Sequence, residues 1–134
     1  MKDKPYEKRK RGIAAITQRF PGKGIPGRCI RVSRFYPPDK SWTDSPAWWF
    51  DLPLERLESA ECERVFLACE HEPGCDFHIL SVPGSFVLEN RGGLCVITVR
   101  KMVVVRLHLS ARQEDWLVDL RGTGHVSFAR FERK

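Results

Sequence analysis

Residues 94–109 constrain the fold more than any other stretch of the chain. Seven of these sixteen are β-branched: Val96, Ile97, Thr98, Val99, Val103, Val104 and Val105. Such side chains crowd a helix and pack well on a pleated surface. The stretch therefore predicts one long bent strand, or two strands meeting at Arg100-Lys101. Arg100, Lys101, Arg106 and His108 interrupt it, so it is too short and too charged to span a bilayer.

A strand this apolar needs neighbours, and the rest of the chain offers them. Residues 65–70 and 77–82 are apolar runs joined by His71-Glu72-Pro73-Gly74-Cys75-Asp76, which predicts a hairpin. Residues 28–36 and 47–52 read as further strands, and 116–120 and 126–131 as a closing pair around Arg121-Gly122-Thr123-Gly124. Pro53 opens a predicted helix over 53–62, with Leu54, Leu57 and Ala60 on its apolar side. A second short helix is expected over 85–89, and residues 13–20 suit a strand or a short helix. The fold class expected is α+β: mostly strand, an antiparallel or mixed sheet, and one or two short helices. Its expected core is Val65, Phe66, Leu67, Phe77, Ile79, Leu80, Val103, Val105, Leu107, Val126 and Phe128. A length of 134 residues fits one domain, here residues 13–134, preceded by a flexible basic arm over 1–12.

Charge is the second constraint. The net charge is +6, and it is unevenly placed. Residues 1–40 carry twelve Lys/Arg against three acids, a net +9, while residues 41–134 carry a net −3. Such asymmetry points to nucleic acid or another polyanion as partner. Lys8, Arg9, Lys10 and Arg11 on the arm, with Lys23, Arg28, Arg31 and Arg34 behind them, are the candidate phosphate contacts. Trp42 is a candidate base-stacking residue, within an aromatic cluster of Phe35, Tyr36, Trp42, Trp48, Trp49 and Phe50. Trp48 and Trp49 are adjacent on a strand, so at most one of them lies on a given face.

Cysteine and acidic residues offer weaker candidates. Cys29, Cys62, Cys69, Cys75 and Cys95 are odd in number and scattered, which argues for reduced thiols and a cytoplasmic chain. Cys62, Cys69, His71, Cys75 and His78 fall within seventeen residues, but lack the paired short spacing of a structural zinc site, and no metal or cofactor is expected. Asp51, Glu70 and Glu72 resemble the acidic set of metal-dependent nucleases of the restriction-enzyme fold, without the usual lysine. No nucleophile constellation stands out. The expectation is a small nucleic-acid-binding protein that grips the phosphate backbone and has no catalytic activity. The alternatives are a protein-interaction module, for example an accessory factor of a phage or mobile element, and a Mg²⁺-dependent nuclease using Asp51, Glu70 and Glu72. A protein partner is a further expectation, and no membrane partner is expected.

Overall fold

The β-branched stretch forms two strands rather than one, and they organise half the molecule. In the computed structural model, which describes residues 5–71 and 76–133, β6 (Cys95–Val99) and β7 (Met102–Ser110) make a hairpin whose two-residue turn is Arg100-Lys101. β7 also pairs antiparallel with β3 (Ala47–Pro53), and β3 pairs with the short β2 (Phe35–Tyr36). The resulting antiparallel sheet has the order β2-β3-β7-β6.

A second sheet is built on the predicted hairpin, β4 (Arg64–His71) and β5 (Asp76–Pro83). β1 (Ile30–Ser33) joins β4 in parallel, and β8 (Glu132–Arg133) joins β5. Residues 28–36, expected as one strand, are therefore two. Arg34 is the junction at which the chain leaves one sheet and enters the other.

The sheets pack face to face. Trp48, Phe50, Leu52, Val105, Leu107 and Leu109 from one meet Val65, Leu67, Cys69, Leu80 and Val82 from the other. This period-2 alternation fixes each strand's register, because a one-residue slip would turn the apolar set outward. α2 (Leu54–Leu57) and α3 (Gly84–Glu89) pack together beside β3, β7 and β5, and Leu57 and Val87 enter the same core. The helix predicted over 53–62 is shorter than expected: α2 stops at Leu57, and Ala60–Cys62 is a 3₁₀ turn. Val103, expected in the core, is 40% exposed near the β6–β7 turn. The expected closing strands at 116–120 and 126–131 reduce to isolated bridges, Leu109 with Asp119 and Val118 with Ser127.

The largest departure from expectation is at the start of the chain. Residues 5–12, expected to belong to a flexible arm, lie in α1 (Pro5–Arg19). Residues 1–4 are outside the described residues. α1 lies on the outer face of the β4–β5 sheet, where Ile16 meets a second apolar cluster of Ile30, Phe66, Ala68, Phe77 and Ile79. Gly12 allows the close approach: a Cβ there would lie 2.5 Å from Val32 Cγ2. Long Lys and Arg side chains cover apolar surface with their stems while placing their charges at polar partners, so a cationic segment can still be a docked helix.

Cys29 and Cys62 are disulfide-bonded, with Cα atoms 5.4 Å apart. This corrects the expectation of reduced thiols throughout. Cys69 is buried in the main core and Cys95 is half-buried on β6, both as free thiols. Among the described residues, no helix is long and apolar enough to cross a membrane.

Candidate nucleic-acid interface

Most cations of α1 are turned to groups within the molecule. Lys8 Nζ is 3.1 Å from Glu70 Oε2, and Arg9 donates to the carbonyls of Gly27 (3.2 Å) and Ile30 (3.4 Å). The Arg11 guanidinium lies 5.7 Å from the centre of the Phe77 ring. Lys10 is exposed, as is Lys23 in the loop that follows. Arg28 is salt-bridged to Glu61, and Arg31 donates to the carbonyl of Asp51 at 3.3 Å. The eight sequence-predicted phosphate contacts are thus spread over the helix, the glycine-rich loop and β1, and several already have protein partners.

Arg34 and Trp42 differ. They belong to a surface on the outer face of the β2-β3-β7-β6 sheet, which carries no helix among the described residues. Strand alternation builds this surface. Phe50 and Leu52 point inward, so Trp49 and Asp51 point outward. Leu107 and Leu109 point inward, so Arg106 and His108 point outward, and the register sets Trp49 opposite His108 and Asp51 opposite Arg106. Phe35 packs against the core, which turns Tyr36 to the outer side.

Three guanidinium groups are stacked on three aromatic rings in this one area. Arg34 lies 4.7 Å from the Tyr36 ring centre, Arg106 lies 4.8 Å from Trp49, and Arg121 lies 3.9 Å from Trp42. The rings are neighbours: Tyr36 and Trp49 are 6.1 Å apart, and both Trp49 (5.1 Å) and Trp42 (5.7 Å) lie against His108. Trp42 is 63% exposed and Trp49 38%, so both indoles are partly open to solvent. Arg106 is held from below by a bidentate pair with Asp51, at 2.8 and 3.0 Å. Burial alone would raise the Asp51 carboxyl, but hydrogen bonds from Arg106 and Trp49 bring it below its ordinary value.

His108 forms the floor. It is 2% exposed, and its Nε2 has no hydrogen-bond partner among the described residues. Burial first, then the charges of Arg121 and Arg106, lower its pKa to about 4. The imidazole is neutral at physiological pH and adds no charge to the surface. The 0%-exposed Asp119 accepts from the backbone N–H groups of His108 (3.0 Å) and Gly122 (2.8 Å), which fixes the turn that carries Arg121 over Trp42.

The other sequence candidates separate. Asp51 lies on the outer face of one sheet. Glu70 lies on the α1 side of the other, where it pairs with Lys8 and accepts the Phe35 N–H at 3.0 Å. Glu72 lies outside the described residues. The Asp51–Glu70–Glu72 nuclease set is therefore not assembled, because its first two members face opposite sides of the sandwich. Of the cysteine–histidine group, Cys62 is in the disulfide, Cys69 is in the core and Cys75 is outside the described residues. Only His71 and His78 come together, with ring centres 4.8 Å apart, and no metal-competent cluster occurs among the described residues.

Sequence reasoning missed Tyr36, Trp49, Arg106 and Arg121 as one site. The available signal was the alternation in β3 and β7, which puts Trp49 on one face and groups Arg106 with His108. Their adjacency depends on β3–β7 pairing across more than fifty residues, which no local pattern encodes. Comparison with protein-family models, with curated proteins and with solved structures finds no match to this chain.

Proposed function

We propose that the chain binds single-stranded nucleic acid on the outer face of the β2-β3-β7-β6 sheet. Unpaired bases stack on Trp42 and Trp49, while Arg34 and Arg121 neutralise the backbone and Arg106, paired with Asp51, braces Trp49. The observation that carries this reading is the side-by-side set of three arginine–aromatic stacks around two partly open tryptophans. Stacking on an aromatic side chain contributes about 1–3 kcal/mol per base and tolerates any base, because every base has a π-face. The guanidinium groups are held in place before binding, so less side-chain entropy is lost when a phosphate arrives.

The test is a titration of tryptophan fluorescence with a short oligopyrimidine at two salt concentrations. Quenching should saturate at 50 mM salt and weaken steeply by 200 mM. Trp49→Ala and Trp42→Ala should each lower affinity about tenfold, which is about 1.4 kcal/mol. Lys10→Ala and Lys23→Ala, at exposed cations away from this face, should change it little. Absence of quenching at 50 mM salt, or tryptophan variants that bind like the parent, would reject the reading.

A second reading, a protein-interaction module, draws on a different observation. Val96, Met102 and Val103 are 41%, 44% and 40% exposed around the tip of the β6–β7 hairpin. If that tip docks on a protein surface, concentration-dependent association should be removed by Val103→Asp without loss of folding.

A further inference from the structure

At the end of the sandwich away from α2 and α3 the sheets part, leaving a cleft of about 890 Å³. That volume lies within the range of small-molecule sites. Its walls combine aromatic rings with a fixed polar pair. His78 Nδ1 lies 3.2 Å from one oxygen of Glu132, and the Trp116 indole N–H donates to the other at 3.0 Å. A carboxylate only accepts, so Nδ1 carries the proton and Nε2 is left as an acceptor. Nε2 has no protein partner among the described residues, and His71 stands edge-on to the same ring. Burial, partly opposed by Glu132, lowers the His78 pKa, which keeps the imidazole neutral at pH 7. Arg19 and Arg133 also line the cleft, Arg19 being held there by a hydrogen bond to the Arg133 carbonyl. Phe35 and Trp116 are half-buried in its wall.

These groups select a ligand by chemistry. Two guanidinium groups call for an anion. A neutral imidazole acceptor calls for an O–H. A carboxylate supplies the first and lacks the second. A phosphate monoester supplies both, because its second ionisation falls near pH 6 and a fraction keeps one P–O–H at neutral pH. The flat apolar walls suit a planar ring attached to that phosphate. We propose that the cleft binds a nucleoside monophosphate, as a free nucleotide or as the phosphorylated end of a single strand, with the phosphate against His78, Arg19 and Arg133 and the base against Phe35 and Trp116. Asp76 lines the same cleft, with one carboxylate oxygen accepting the Phe77 N–H at 2.8 Å. It disfavours a second phosphate group and so favours the monoester over a polyphosphate.

The test follows the ring C–H resonances of His71 and His78 in the full-length chain while uridine monophosphate, uridine or inorganic phosphate is added. The monophosphate should give saturable shifts at both rings and bind at least tenfold tighter than either fragment. Arg133→Ala removes an exposed side chain and keeps the backbone carbonyl that Arg19 uses, and should weaken the monophosphate at least fivefold with unchanged melting temperature. His78→Gln should weaken it further. Trp49→Ala, on the outer face, should leave it unchanged, so this site and the stacking face can fail separately. A uridine oligomer with a terminal phosphate that binds tighter than the nucleotide assigns the strand end as ligand, and equal affinity assigns the free nucleotide. No saturable shift at 10 mM nucleotide, or equal affinity for uridine and its monophosphate, overturns the proposal.

Discussion

The Lys8 ammonium stands 3.1 Å from the Glu70 carboxylate, and that carboxylate is 2% exposed. Among the described residues no group makes a well-aligned hydrogen bond to Glu70 Oε2, so the pair rests mainly on charge. Removing one partner of a buried ion pair leaves the other charge uncompensated, which costs more than the pair itself contributes. Lys8→Met should destabilise the fold by about 3 kcal/mol, measured by urea unfolding. Adding Glu70→Gln should recover most of that loss, since the amide oxygen can still accept the Phe35 N–H. A Lys8→Met variant as stable as the parent would show that α1 docks without the pair. Deleting residues 1–12 would remove both this cation and Gly12, so a loss of nucleic-acid binding on truncation would report unfolding as much as lost contacts.

His108 gives the fold a pH dependence with a definite sign. The unfolded imidazole titrates near 6.5 and the folded one near 4. Between those values the unfolded chain binds the extra proton, so stability is complete above about pH 6.5 and falls as pH drops toward 4. His108 accounts for up to about 3 kcal/mol of that fall. His78 is shifted in the same direction and contributes to the same window. His108→Gln should therefore flatten the stability profile between pH 4 and 6.5 without abolishing it. An unchanged slope would mean that His108 is free to protonate in the folded state.

The β6–β7 turn stores strain that can be removed. Arg100 has φ 49° and Lys101 φ 67°, both in the left-handed region. Each non-glycine residue there costs roughly 1 kcal/mol, and Asn-Gly is the preferred pair for a two-residue hairpin turn of this kind. Replacing Arg100-Lys101 by Asn-Gly should stabilise the protein by about 1 kcal/mol, seen as a rise in melting temperature of a few degrees.

Gly122 is the tightest backbone contact near the arginine–aromatic face. A Cβ there would lie 2.3 Å from the Gly93 carbonyl oxygen and 2.6 Å from Leu94 Cα. Backbone cannot move aside as a flexible side chain can, so Gly122→Ala should cost about 3 kcal/mol. The shift should also displace Arg121 from Trp42 and weaken oligonucleotide binding. Gly92→Ala, with open space around it, serves as the control and should change neither.

What the sequence made legible was what short-range pattern encodes. The β4–β5 hairpin announced itself through Pro73-Gly74, and residues 94–109 through β-branched density, with the break at Arg100-Lys101 as one of two stated outcomes. α1 was not legible as a docked helix because its apolar contacts, Ile13, Ala15 and Ile16, all fall in its second half, while its first half packs through Lys8 and Gly12. The Cys29–Cys62 pair was hidden because the two residues meet only when β1 lies beside β4. The arginine–aromatic face was legible in pieces: Arg34 and Trp42 from local charge and aromatic content, and Arg106 with His108 from strand alternation. Nothing local indicated that Arg121 would reach back to Trp42.

The Cys29–Cys62 bond encloses Arg34, Tyr36, Trp42, Trp49 and Asp51 in one covalent ring of chain. A crosslink of that span contributes about 3–4 kcal/mol by restricting the unfolded chain. Lys40 sits exposed within the ring. Trypsin cutting there would open the ring yet leave both pieces tied through sulfur, so the nicked protein would run as a single band on a denaturing gel and come apart only after a thiol is added.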